Sequence, residues 1–398
     1  MATIASSISL LIVLALLTAC GGSPKSSTSG PSSTPTPPTT GGSNPGPTGG
    51  GGASSCPSVQ VAIAQGPTSG TAPFPAAAPV PPPDPGSTSA GSVCVANPTN
   101  GATVTSPAHV VASTTLKNID HMRVYVDGVA TQFTFYNSID SQIWMSQGTH
   151  HLEILATDKS GNNASTSFDL TVSGTGGDIT QIQAIPNWEP CSAKFPPGHP
   201  RAGQICAAGL GDAVSTMTEN QSSPSLSGAS AHFTMGGPTP YSNELWTKFL
   251  GGGTNLTHFT YDLYFMVDKP DLPQALEFDV NQAFNNQRWV FGTECNFKDS
   301  GKWDVWDGVK GWQPTSVPCT AFPANQWVHL VWQFERVGNQ VHYISLSIDD
   351  KTYPLDLFYS NEPKWVMESV DVAFQMDGNF AQQPYNMWLD KVTLKASE

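Results

Sequence analysis

The sequence predicts an all-β protein, a small β-sandwich followed by a larger jelly-roll sandwich, both carried behind a long flexible tether. Three observations predict this class. Short runs of alternating apolar and polar residues recur through the C-terminal three quarters of the 398-residue chain. Gly (37) and Pro (34) are abundant while charged residues make up only 12%, the mix expected of turn-rich β domains. No apolar pattern of helical period extends beyond two turns.

The chain opens on a targeting segment, residues 1–20. Ile8 to Leu17 is an apolar run too short to span a bilayer. It closes in Leu17-Thr18-Ala19-Cys20-Gly21, which resembles the lipobox of bacterial lipoproteins. The resemblance implies that Cys20 is lipidated and becomes the N-terminus, although Met1 to Ser7 contain no Lys or Arg. An ordinary secretory cleavage site is the alternative. Gly21 after the cysteine points to an outer-membrane or cell-surface address.

Cysteine usage agrees with export. The chain has seven Cys, an odd number; setting Cys20 aside leaves Cys56, Cys94, Cys191, Cys206, Cys295 and Cys319. Proximity along the chain suggests the pairs Cys56–Cys94, Cys191–Cys206 and Cys295–Cys319, other connectivities remaining open. An oxidising compartment follows. No CxxC or HxH spacing argues for a metal instead.

Residues 21–92 are the tether. "STPTPPTTGGSNPGPTGGGG" and "FPAAAPVPPPDPG" offer nothing to bury. A flexible chain of that length has a root-mean-square span of roughly 45 Å, enough to hold a folded part clear of a surface.

Residues 93–174 form the first predicted domain. "MRVYVDG", "HHLEILATD" and "TSFDLTVSG" alternate and are punctuated by Asp127-Gly128 and Ser160-Gly161-Asn162-Asn163. With its "NPTNGATV" opening, the segment resembles bacterial immunoglobulin-like domains, which implies a spacer role. His150 and His151 are adjacent on a strand and face opposite ways, so a metal site there is not expected.

Residues 175–398 form the second domain, with strands such as "HFTYDLYFMVD", "ALEFDVNQ", "WVHLVWQFERV" and "YNMWLDKVTL". The acidic strand, the "WVHLVWQFER" strand followed by "YISLSIDD", and the closing strand resemble the concanavalin A-like lectin/glucanase superfamily. In "ALEFDVNQ", Leu276, Phe278 and Val280 alternate with Glu277, Asp279 and Asn281, so three polar groups share one face. The glucanases of that superfamily carry E-x-D-x-x-E here, with two carboxyls as nucleophile and acid/base. The resemblance matches Glu277 and Asp279 but puts Gln282 at the third position, and an amide cannot deliver the proton. Glu294, Asp304 and Asp307 are the nearest other acids.

Nine of the eleven Trp residues lie from Trp246 onward. Trp303, Trp306 and Trp312 fall in the Gly- and Asp-rich stretch "GTECNFKDSGKWDVWDGVKGW", which reads as a loop where indoles stack on sugars or pack locally. Trp327, Trp332 and Trp388 fall in strong strand patterns and read as core. Asp304 and Asp307 accept sugar hydroxyls or cap turns. "QMDGN" (Asp377, Asn379) has residue types of a Ca²⁺ site, or of a turn.

The net charge of −14 argues against nucleic acid. The expectation is therefore a monomeric surface lipoprotein that binds an extracellular or cell-wall polysaccharide without cutting it. Glu277, Asp279, Asn281, Trp303, Trp306 and Asp304 would form the carbohydrate site, with no obligatory cofactor or metal. A glycoside hydrolase or polysaccharide lyase on the same fold, with Glu277 and Asp279 catalytic, is the rival. A structural or adhesive protein without a glycan site is the third reading.

Overall fold

A computed structural model describes residues 91–192, 213–363 and 367–398. Their regular secondary structure is strand apart from one short 3₁₀ turn, Ile182–Ala184. Cys20, Cys56 and Cys206 lie outside the described residues, as do the targeting segment and nearly all of the tether. Two β-sandwiches follow, as the alternating runs predict.

The first sandwich packs a three-stranded sheet against a five-stranded one. Val93–Asn97, Ala108–Thr114 and Ser138–Ile143 form the smaller sheet. Ala102–Thr105, Asn163–Ser173, Gly148–Asp158, Ile119–Val126 and Val129–Thr134 form the larger. Every second residue turns inward, giving a core that includes Val110, Met122, Val124, Ile139, Ile154 and Leu170. Asp127 (φ 52°) and Gly128 (φ 81°) both sit in the left-handed region between strands ending at Val126 and starting at Val129. That is the two-residue hairpin the Asp-Gly pair predicts. His150 and His151 do point apart: the first pairs with Asp127 (2.7 Å), the second with Asp169 (2.7 Å).

The larger sandwich joins a nine-stranded and an eight-stranded sheet. The first runs Glu189–Ser192, Asn243–Phe249, Ser369–Asp377, Ala275–Phe284, Thr293–Asn296, Lys302–Asp307, Gly311–Pro318, with Gln287–Phe291 and Glu362–Pro363 attached beside the acidic strand. The second runs Val214–Gln221, Ser230–Gly236, Tyr385–Ser397, His258–Val267, Val328–Val337, Gln340–Ile348, Lys351–Ser360, with Gly177–Ile179 against the closing strand. Aromatic rings from the two sheets meet in the core: Phe278 with Phe265 (5.1 Å between centroids), Phe291 with Phe259 (5.5 Å), Trp303 with Trp332 (5.8 Å). Each such fully buried side chain contributes about 1.5–3 kcal/mol relative to exposure.

The expected Cys295–Cys319 disulfide is present, with Cα atoms 5.4 Å apart. Cys94 is also disulfide-bonded; Cys56, its expected partner, lies outside the described residues. The Cys191–Cys206 pairing likewise falls outside them.

The first sandwich packs directly against the larger one. Trp144 is buried in the core of the larger sandwich. Tyr125 and Phe133 pack with Phe249 and Met367. Glu189 accepts hydrogen bonds from Thr134 Oγ1 and Phe135 N, each 3.2 Å. Trp388 and Trp327 depart from the expectation of core positions. Tyr385, Met387 and Leu389 take the inward parity of their strand, so Trp388 turns outward and stacks on His232 at 4.6 Å. Trp327 is half-buried just before its strand begins, whereas Trp332 is core.

Candidate functional site

The acidic strand Ala275–Phe284 pairs without a register break to Ser369–Asp377 on one side. Leu276, Phe278 and Val280 point into the core, fully buried. Glu277, Asp279 and Asn281 stand together on the outer face, as strand alternation requires. Because the pleat is unbroken, a residue five positions after Glu277 must face the other way. Gln282 does so: its Nε2 donates to the carbonyls of Gly253 (2.7 Å) and Leu256 (2.9 Å). This corrects its expected role as the third, acid/base position, since Gln282 is not on the acid face at all.

Neighbouring strands supply further polar groups to that face. Direct cross-strand partners place Gln375, Glu277, Glu294 and Asp304 in one row. Asn281 pairs with Asp371 and donates to its Oδ1 at 2.8 Å. Asn243 pairs with Asp377 at one end of the array. Asn285 and Asn286, both at positive φ, turn the chain straight back from the acidic strand. Arg288 thereby reaches Asn281 Oδ1 at 3.1 Å. Thr293 N donates to Asp279 Oδ1 at 3.0 Å.

The face is dry for an outward one. Glu277, Asp279, Glu294 and Asp304 are 9%, 8%, 4% and 3% exposed. A solvated face, the ordinary reading of alternating acids, is therefore not what the sheet presents. Burial is the main cause of raised carboxyl pKa values throughout, since it penalises the anion. Asp371 rises to about 6, with Arg288 and the Asn281 hydrogen bond opposing. Asp279 rises to about 7, opposed by the Thr293 N–H and Arg288. Asp377 rises to about 7, opposed by hydrogen bonds from Asn243 and Gln375. Glu294 goes to about 9 through burial and then the charges of Asp377 and Asp304. Glu277 is pushed well above the carboxylate range by burial and then by Asp377, Asp279 and Glu294. Burial also raises Asp304, against hydrogen bonds from Ser300 and Asn296.

Amide nitrogens hold the carboxylates in place. Gln375 Nε2 bridges Glu277 Oε1 and Asp377 Oδ1. Asn296 Nδ2 joins Glu294 Oε1 (3.0 Å) to Asp304 Oδ2 (3.2 Å). Oxygens of Glu277, Glu294 and Asp377 come within 4.8 Å of one another.

The tryptophan stretch is not a loop. It forms the strands Lys302–Asp307 and Gly311–Pro318. Trp303 and Trp306 are three residues apart in a strand and so face opposite ways. Trp303 is fully buried against Phe278 and Trp332, which corrects its expected place in the carbohydrate site. Asp304 and Trp306 share the acid face. Trp306 is half-buried, donates from Nε1 to Glu362 Oε1 (3.0 Å) and meets Trp312 edge-on at 5.2 Å. Gly292 makes room for it: a Cβ there would stand 2.9 Å from the Trp306 Cβ. Asp307 serves its own loop, accepting from Val309 N (2.8 Å) and Lys310 N (3.1 Å). Asn379 serves a turn, accepting from Ala381 N at 3.0 Å, while Asp377 joins the acids. Asn243, Asp371, Gln375, Asn296 and Arg288 are the members that the sequence reading does not single out.

No protein-family model matches the chain, and no curated protein matches it. Solved structures with some likeness include one described by the promiscuous specificity of carbohydrate-binding modules from the β-sandwich superfamily. It is 11% identical and covers 77% of this chain and 98% of its own, at a TM-score of 0.31. Lectin II from Ulex europaeus is 13% identical, covering 56% of this chain and 98% of its own at 0.30. The family 11 carbohydrate-binding module from Clostridium thermocellum, in complex with a β-1,3-1,4-mixed-linked tetrasaccharide, is 11% identical, covering 56% and 96% at 0.27. At such scores these likenesses carry no argument about the site.

Proposed function

We propose that the acid face of the larger sandwich binds a neutral polysaccharide, and that the chain is a bacterial surface lipoprotein displaying that face on its tether. The observation that carries the reading is the row Gln375–Glu277–Glu294–Asp304 with Asp279, Asn281 and Asp371 beside it. Sugar hydroxyls donate and accept, so a fixed array of carboxyl and amide groups matches a glycan without requiring charge on it. Half-buried Trp306 and Trp312 at the flank supply indole for the apolar face of a sugar ring. Binding of extracellular or cell-wall glycans by the full mature chain on an array is the test. Micromolar-to-millimolar hits are expected, and their absence across neutral polysaccharides ends the reading. Mass spectrometry of the mature N-terminus should find diacylated Cys20, and an unmodified Cys20 removes the anchor.

A hydrolytic reading gains one specific observation. Glu277 and Glu294 bring oxygens within 4.8 Å, comparable to the roughly 5–5.5 Å between carboxyls of retaining glycosidases. With Gln282 turned to the core, the missing-acid objection no longer applies. Release of reducing ends from any polysaccharide, abolished by Glu277→Gln, would favour this reading over simple binding.

A further inference from the structure

We infer that Glu277, Glu294, Asp377 and Asn243 form a binding site for a calcium ion on the acid face. Three carboxylates from three different strands, Ala275–Phe284, Thr293–Asn296 and Ser369–Asp377, bring ligand oxygens within 4.8 Å of one another. Like charges gathered this closely and buried need a counter-charge or protons. The guanidinium of Arg288 faces the other part of the array, beside Asn281, Asp279 and Asp371.

The second observation is Asn243. It is only 6% exposed, sits directly across the sheet from Asp377, and donates to it from its side chain. Its Oδ1, buried, has no hydrogen-bond partner. A buried carbonyl oxygen left without a donor is unfavourable, and a cation beside Asp377 would relieve it. Gln375 Nε2 and Asn296 Nδ2 each hold one oxygen of the carboxylates, fixing their orientation as outer hydrogen bonds do around metal ligands.

The donor set decides the metal. Every ligand atom is oxygen, with no His or Cys, which selects a hard cation. Calcium accepts six to eight oxygens in irregular geometry, whereas magnesium demands a near-ideal octahedron and keeps its waters. The inference does not rest on the glycan reading, because the site is complete without a sugar. It does bear on the hydrolytic one: an ion held here takes Glu277 and Glu294 out of acid–base work.

The experiment is calorimetric titration of the EDTA-treated full chain with CaCl₂ in the absence of glycan, alongside thermal melts. Saturable binding is expected, with a rise in melting temperature and at least tenfold weaker affinity for Mg²⁺. Asp377→Asn and Glu294→Gln should each weaken calcium at least tenfold, while Asp178→Asn, the same charge change on the other sheet, should leave it unchanged. In EDTA, Glu294→Gln should melt at or above the wild-type temperature, and that order should reverse in calcium. No heat and no shift for the wild-type chain at millimolar Ca²⁺ would overturn the site, as would magnesium binding as tightly or equal calcium affinity in Asp377→Asn. Because the wild-type titration decides by itself, a misfolded variant leaves the answer standing.

Discussion

The two outer faces of the larger sandwich treat charge in opposite ways. On the eight-stranded sheet, Asp262, Glu335 and Asp356 are matched to histidines and keep contact with solvent. His258, Glu335, His342 and Asp356 form a chain across four strands at 3.0–3.2 Å, and Asp356 is 85% exposed. His329 pairs with Asp262 at 2.8 Å on the same face. On the nine-stranded sheet, acids stand beside acids in a nearly dry layer, with amides between them. A solvated sheet face needs only polar residues, whereas buried like charges lower stability unless something else compensates. The second face therefore carries a cost that a ligand or an ion would offset, and the first does not.

This contrast can be broken by experiment, and the largest effect should come from beneath the acid face. Trp303→Ala should lower unfolding free energy by about 3–5 kcal/mol, because it empties a fully buried site. Trp306→Ala, on the outer side of the same strand, should cost roughly 1 kcal/mol in stability but weaken glycan binding more. Urea unfolding and glycan titration of both variants check the pair.

A smaller effect concerns Asp371. Its carboxyl rises from 3.8 to about 6, mainly through burial. The folded state therefore binds the proton more tightly than the unfolded chain. The resulting stabilisation is complete below about pH 4 and is lost as pH rises through about 6. Two units correspond to about 3 kcal/mol. Asp371→Asn should flatten this dependence, making the variant the more stable form at pH 8 in EDTA by up to that amount. Equal slopes for variant and wild type between pH 4 and 8 would contradict the burial argument. The smallest effect belongs to the wet face: Glu335→Gln should change stability by less than about 1 kcal/mol, and less still in high salt.

How much of this was legible in the sequence follows from what is local. Alternation in "ALEFDVNQ" is local, and it correctly separates Leu276, Phe278 and Val280 from Glu277, Asp279 and Asn281. The same parity rule excludes Gln282 from the acid face once the strand is known to be unbroken, but a motif matched by spacing alone conceals this. "KWDVWD" likewise puts its two indoles on opposite sides, provided that it is a strand. Its Gly and Asp neighbours suggest a loop, so Trp303 and Trp306 read alike. The partners of Glu277 are not local. Gln375 lies 98 positions away, and Asp371, Gln375 and Asp377 show only an ordinary period-two pattern in "SVDVAFQMD". Nothing in the sequence announces that this strand lies beside the acidic one. Trp144 is hidden for the same reason, buried in a core built by residues more than thirty positions later.

The central claim is that ligand is held on the dry face. Its most direct test is calorimetric titration of the best array glycan into wild type, Asp279→Asn and Glu335→Gln. The account predicts at least a tenfold loss of affinity for Asp279→Asn and none for Glu335→Gln. Unchanged binding in the first variant, or equal loss in both, would contradict it.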